Sequence, residues 1–367
     1  MKTLDILSAP DRRAHQHGFS LIEILVGVVI GMIAVLVIYQ VFAAAEGIKR
    51  NITSAGDAQQ NGLLASFMLG VELANASNGV AMAWQKLQSC PTTVNAATTL
   101  RPIPILISAG AGPIFPDKFV VNYSVSNLAI APAPFKATSG TNAPYVVHAP
   151  IGFRVGDIVV AISGGSPGAG TCAVSSVTAV SAPTAPPLGP DGDQFAGQVT
   201  IAHTPAPFTF TEDAFLLNMG QASNTQRVLY DVDTNGVLRS TSLWDATGAA
   251  AAAPVPNPLA SNIVNMKLLY GIDNNGDGIL DTWVAPTGVW SDASVLAADA
   301  PTLRKIKAVR LGIIVRGEQW DRDAPDVTAH LFDDAIPFSQ AFLRSSGGNY
   351  RYRWYETIIP MRNSVWN

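Results

Sequence analysis

From Ile24 to Ala45 the chain runs 22 residues without a charge, with Tyr39 and Gln40 the only polar interruptions. At about 1.5 Å of rise per residue, a helix over that stretch is roughly 33 Å long, enough to cross the hydrocarbon core of a bilayer. An ordinary secretory signal places a small-residue cleavage site after its apolar stretch. Here the small residue, Gly18, comes before it, and residues 1–18 are polar, with Lys2, Arg12 and Arg13. Those basic residues favour a cytoplasmic N-terminal segment, a preference weakened by Lys49 and Arg50 just after the span. The bulk of the chain would then face the periplasm or an equivalent space.

Glu23 is out of place at the head of this helix. A carboxylate deep in the bilayer costs about 2.5–3.5 kcal/mol, and less near the interface. Two readings follow from the residue alone. It is a helix N-terminal carboxylate favoured by the helix dipole, or a charge that needs a positive partner inside an assembly.

The string Gly18-Phe19-Ser20-Leu21-Ile22-Glu23, followed by the apolar helix, resembles the class III signal of type IV pilins and type II secretion pseudopilins. That resemblance implies a prepilin peptidase that cuts after Gly18 and methylates the new amino group of Phe19. It also implies that Glu23 pairs with the Phe19 amine of a neighbouring subunit. Many major pilins of the family carry a proline midway along the membrane-embedded half, and there is none here between Phe19 and Ala45. Gly27 and Gly31 form a small-xxx-small pair that ordinary close helix packing explains equally well.

Beyond the span, Ile48, Ile52 and Ala55, then Leu63, Phe67, Gly70 and Leu73, recur at helical spacing. They predict a helix from about Phe19 to about Asn78 whose second half is amphipathic and packs on a globular head. Past residue 80 short β-rich runs take over, set off by Gly and Pro: Phe119–Val125, Asp157–Ile162, Cys172–Val180, Gln198–Ala202, Ala214–Asn218, Arg227–Asp231, Val237–Ser242, Asn262–Tyr270, Lys307–Arg316 and Tyr350–Arg362. Asn235-Gly236 is a hairpin signal, and 126–150, 181–197 and 246–260 read as long loops. The expected fold class is α+β: a long N-terminal helix, membrane-spanning in its first half, packed on a mainly antiparallel β-sheet head. The expected boundaries are a removed leader at 1–18, the transmembrane and assembly half of the helix at 19–45, its amphipathic half at 46–79 and the head at 80–367. Lys267-Leu-Leu-Tyr270-Gly-Ile-Asp273 and the closing Arg351–Asn363 stretch look like the C-terminal strands of the minor pilin family PilW.

Composition agrees with export. Only 14% of residues are charged, against roughly 25% in average soluble proteins. The two cysteines, Cys90 and Cys172, both follow the membrane segment; in an oxidising compartment they are expected to pair, the alternative being two buried thiols.

Asp273-Asn274-Asn275-Gly276-Asp277-Gly278-Ile279-Leu280-Asp281 fits the first nine positions of a calcium loop. Side-chain oxygens come from Asp273, Asn275, Asp277 and Asp281, and a carbonyl from Ile279. The acidic residue of position 12 is missing, since Val284 stands there. The alternative is a polar hairpin loop, which uses the same residue types.

Other chemistry finds no footing. His148, His203 and His330 are not at zinc-ligand spacing, and no nucleophile motif, phosphate loop or dinucleotide fingerprint occurs. Gly164-Gly165-Ser166 reads as a turn, and Lys305, Lys307, Arg310 and Arg316 as a solvated basic strand. A net charge of −4 gives no reason to expect nucleic-acid binding. The resemblance implies a non-enzymatic minor pilin, with no required cofactor and calcium left open. It implies prepilin peptidase, other minor pilins, the major pilin, a PilY-type tip adhesin and the inner membrane as partners. The chain would sit in the inner membrane, single-pass with its N-terminus inside, and then in a surface pilus. Two alternatives stay open: a type II secretion pseudopilin close to the tip subunit GspJ, and a membrane-anchored binding protein that keeps its N-terminal segment.

Overall fold

The structure, a computed structural model, describes residues 20–80, 90, 103, 105–112, 114–126, 131–148, 152–163, 170–182, 197–221, 227–245, 251–321, 324, 327–333, 336–339, 343 and 348–365. The chain divides into two compact units, residues 1–53 and 54–367.

Helix α1 spans Leu21–Asn75. In the first unit it starts on Ser20, whose carbonyl accepts from the N–H groups of Glu23 (3.0 Å) and Ile24 (3.2 Å). The long apolar side chains from Leu21 to Phe42 are exposed. In the second unit one face is buried: Ser54, Ala58, Gly62, Ala65, Leu69 and Leu73, at intervals of three and four. This differs from the expected face, because Leu63 and Phe67 point outward, 52% and 71% exposed. The reason is steric. The head presents bulky groups to the helix, so the helix must meet them with small ones. A Cβ on Gly62 would lie 2.1 Å from the ring of Tyr355.

The helix packs on two antiparallel sheets that share one core. The first is built from β1 (Ile105–Ser108) and β2 (Lys118–Asn122), then, after a long excursion, β9 (Arg227–Val232), β10 (Leu238–Ser242) and β11 (Pro256–Ala260), in the order β1-β2-β9-β10-β11. The second has the order β13-β12-β14-β17, with β12 at Ile263–Ile272, β13 at Thr282–Val284, β14 at Ile306–Arg316 and β17 at Tyr352–Pro360. Ala65, Leu69 and Leu73 of α1 meet Phe119 and Tyr230 of the first sheet and Met266, Leu268 and Ile313 of the second in that core. Short helices α2 (Asp292–Ala297) and α3 (Ala300–Arg304) lead into β14. A hairpin of β15 (Ala329–Leu331) and β16 (Ile336–Phe338) joins a separate apolar cluster with Leu269 and Ile314.

The excursion between β2 and β9 is a domain-like insert. It contains β3 (Ala133–Pro134), β4 (Tyr145–Val147), β5 (Asp157–Ile162), β6 (Cys172–Val180), β7 (Val199–His203) and β8 (Phe215–Gln221), in the order β3-β8-β5-β6-β7-β4. The two end strands also meet: Phe135 bridges Val147, Lys136 N–H donates to Val146 O (2.8 Å) and His148 N–H to Pro134 O (2.9 Å). That closes the six strands into a barrel with no free edge. Its interior is filled by Phe135, Tyr145, Val159, Val177, Ile201, Phe210 and Leu216. Since β2 and β9 pair directly, Phe119 opposite Tyr230, the first sheet is continuous without the barrel.

The expected loops at 126–150 and 246–260 are corrected by β3, β4 and β11. Most of 181–197 lies outside the described residues. Arg310, expected on a solvated basic face, is largely buried: it bonds Asp333 (2.8 Å) and Glu356 (2.9 Å) and lies over the Phe332 ring.

Candidate assembly site

Gly18 and Phe19, the expected cleavage and methylation residues, lie outside the described residues. Glu23 is exposed in the first turn of α1. Ser20 and Glu23 stand at the spacing of a capping box, so the helix start is encoded in the same four residues that carry the carboxylate. Around Glu23 the exposed surface is aliphatic: Leu21, Ile22, Ile24 and Leu25.

Cys90 and Cys172 are joined by a disulfide, their Cα atoms 5.4 Å apart and 82 residues apart in sequence. Cys172 opens β6, so the bond ties the chain that follows α1 to the barrel wall. Around it, Val80, Ile158, Val160, Leu217 and Trp244 form an apolar cluster on the outside of the barrel.

The Asp273–Asp281 loop turns its oxygens inward onto its own backbone. Asp273 accepts from Gly276 N–H (2.6 Å) and Gly278 N–H (2.9 Å), and Asp277 from Ile279 N–H (2.8 Å). Asn275 accepts from Asp277 N–H (3.0 Å) and Asp281 from Asn274 N–H (2.7 Å). Burial would raise the Asp273 pKa, but the amides of Gly278 and Gly276 and the charge of Lys307 outweigh it and hold the carboxyl below its ordinary value. Among the described residues no three His, Cys, Asp or Glu side chains are grouped so as to hold a metal.

The element from Lys267 to Asp273 is explained residue by residue. Lys267 Nζ is buried in an ion pair with Asp117 (2.8 Å), which also accepts from the N–H groups of Gly110 (2.9 Å) and Leu268 (3.0 Å). The Tyr270 hydroxyl, fully buried, accepts from Ile107 N–H (2.7 Å), tying β12 to β1, and burial raises its pKa. A Cβ on Gly271 would lie 2.6 Å from Leu280 and 2.8 Å from Trp283. At the other end of the chain, Asn363 Nδ2 donates to Ala76 O (3.1 Å) and Ala74 O (3.4 Å), satisfying carbonyls that the end of α1 leaves open. Sequence reading missed both Asp117 and Asn363 as anchors; the lone acid beside an apolar strand was the available signal for the first. His203 is spent on packing: its ring stacks on Tyr145, centroids 3.7 Å apart.

An exposed carboxylate stands at the head of the long apolar helix, an antiparallel β head follows in the chain, and residues 13–39 match the prokaryotic N-terminal methylation motif. Residues 229–363, from β9 to just past β17, match the type IV pilus-assembly protein W family. Over these two segments the chain is similar to PilW-like type IV pilins. The barrel falls in neither matched segment. A type IV-like pilin from Thermus thermophilus is similar at 13% identity, covering 57% of this chain and 88% of its own, with a TM-score of 0.23, too low to relate the two folds element by element. No curated protein matches the chain.

Proposed function

We propose that this chain is a minor type IV pilin, a non-enzymatic subunit that helps start pilus assembly near the tip, beneath a PilY-type adhesin. The observation that carries the reading is the pairing of a methylation motif at residues 13–39 with a PilW match at 229–363 in one chain. Prepilin peptidase cuts after Gly18 and methylates Phe19. The chain waits in the inner membrane with its N-terminus inside and its β head in the periplasm. On assembly, Glu23 takes the Phe19 amine of a neighbouring subunit, and the outward apolar residues Leu63, Phe67 and Val71 supply surface for neighbouring helices. Other minor pilins and the major pilin are the partners. Deleting the gene should abolish twitching motility and leave exoprotein secretion intact. The reverse outcome assigns the chain to type II secretion. Glu23→Ala should be processed normally yet fail to enter filaments; wild-type assembly by that variant overturns the pairing role.

Calcium at the Asp273–Asp281 loop is a subsidiary proposal, supported by the spacing of Asp273, Asn275, Asp277, the Ile279 carbonyl and Asp281. Calorimetry on the mature chain tests it: absence of heat at millimolar calcium overturns it.

A further inference from the structure

One end of the barrel is crossed by two connections, residues 135–144 between β3 and β4 and residues 204–214 between β7 and β8. They are tied to each other. Ser139 N–H donates to Phe210 O (2.8 Å), Phe210 N–H to Ser139 O (2.9 Å) and Asn142 N–H to Ala206 O (3.1 Å). Tyr145 and Phe210 are buried there. His203, the last residue of β7, belongs to the same end. Its ring lies flat on Tyr145, with 14° between the planes, and both of its nitrogens face carbonyl oxygens: Nδ1 is 2.6 Å from Thr204 O, and Nε2 is 2.9 Å from Ala143 O.

A neutral imidazole donates from one nitrogen and accepts at the other, whereas a carbonyl oxygen only accepts. The neutral ring can therefore bond one of these carbonyls while its second nitrogen faces the other, lone pair against lone pair. Turning the ring over gives no relief. It would set ring carbons near the positions of the nitrogens, closer to the oxygens than the roughly 3.3–3.6 Å of a C–H···O contact. The imidazolium donates from both nitrogens and satisfies both carbonyls, and its charge is favoured over the face of the Tyr145 ring. The elements packed on His203 bring one titratable group, the Tyr145 phenol, which burial pushes up to about 12 and so keeps neutral. Strand β6 brings Val177, opposite His203 in the ladder. Among the described residues no carboxylate or cation is paired with the ring, whose partners are the two carbonyls and Tyr145. Imidazole is the side chain whose charge ordinarily changes between about pH 5 and 8.

We propose that His203 is a proton-operated latch on this end of the barrel: charged, it holds the turn at Ala143 to the end of β7, and neutral, it releases one carbonyl and loosens the two connections. In a head that faces the outside medium, as proposed above, ambient pH then sets how firmly the barrel end is closed. The latch itself is tested on the chain alone and stands apart from the pilus reading. Hydrogen exchange of the wild-type full-length chain in detergent micelles is followed by mass spectrometry at about pH 5 and about pH 8, each rate divided by the intrinsic rate of its amide at that pH. Peptides spanning 135–145 and 204–214 should lose about tenfold in protection at the higher pH, the loss that goes with one charge-assisted hydrogen bond. Strands β5 and β6 should keep theirs. His203→Phe, which retains a stacked ring without nitrogens, should show the low protection at both pH values. Labelling histidine with nitrogen-15 gives a second reading. The resonance that His203→Gln removes should report two protonated ring nitrogens at the lower pH and one at the higher. Wild-type strand content by circular dichroism shows that both variants fold, and exchange in the wild-type chain reads the latch without them. Equal protection at the two pH values, a loss shared by the whole barrel, a pH dependence that persists in His203→Phe, or a ring with one proton throughout overturns the proposal.

Discussion

The second sheet and the barrel are both antiparallel β structures, but they are held in place by different means. The second sheet is fixed by polar groups reaching across the chain: the buried contacts of Lys267 to Asp117 and Tyr270 to Ile107, and the largely buried Arg310 to Glu356 and to the exposed Asp333. The barrel closes around an apolar interior, has one buried polar knot in which Asn218 Nδ2 donates to Asp157 (2.8 Å) and Gly220 N–H to Asn218 Oδ1 (2.7 Å), and is tethered from outside by the Cys90–Cys172 bond. The difference follows from their tasks. A sheet that must seat a helix and hold loops at a fixed place benefits from directional contacts, whereas a closed barrel needs no outside partner to satisfy its strand edges. The segment that matches the PilW family contains Lys267, Tyr270 and Arg310 but not their partners Asp117 and Ile107, and the barrel is inserted between two strands that pair without it.

The largest expected effect breaks the polar side of this comparison. Lys267→Met leaves Asp117 buried and without its cation, and should cost about 3–5 kcal/mol in denaturant unfolding. Replacing both partners with apolar residues should restore only part of that loss, because the N–H groups of Gly110 and Leu268 then lose their acceptor. On the barrel side, Cys90→Ser with Cys172→Ser should cost about 2–4 kcal/mol, the chain-entropy model giving on the order of 4 kcal/mol for a loop of this length. Barrel strand content by circular dichroism should survive at low temperature, because the interior does not contain the bond. A melt in which both variants lose the same structure would remove the distinction between the two regions.

The smallest expected effect concerns acid. Asp273 is depressed in the folded state, so its contribution is present above the ordinary carboxylate value, near pH 4, and fades as pH falls through the lower folded value. Asp273→Asn should flatten the stability profile below about pH 4 and shift it little between pH 6 and 8. A variant with an unchanged acid limb would show that the amides of Gly276 and Gly278 do not favour the carboxylate.

What the sequence showed and hid follows the same division. The helix and the long strands were legible because their periodicity is local: β5 and β6 fall at Asp157–Ile162 and Cys172–Val180, as their β-branched runs predict. The barrel was not, because its closure depends on two very short strands, one of them Ala133–Pro134. Similarly β11 carries Pro256 and Pro258, which read as a loop, yet it is an edge strand, where a missing N–H costs no ladder bond. Leu73 was placed correctly on the buried face of α1, but Leu63 and Phe67 were not, because from Ser54 to Ala65 that face is made of small residues, Gly62 among them meeting the Tyr355 ring. Asp117 and Lys267, 150 residues apart in sequence, leave no local trace of their pairing. The methylation motif was legible because it is a string of adjacent residues.

The central claim is that the chain is processed as a pilin, and the mass of its mature N-terminal peptide tests it most directly. The account predicts a chain beginning at Phe19 and heavier there by one methyl group. A chain from cells with active prepilin peptidase that still begins at Met1, or that starts beyond the apolar helix, would contradict it.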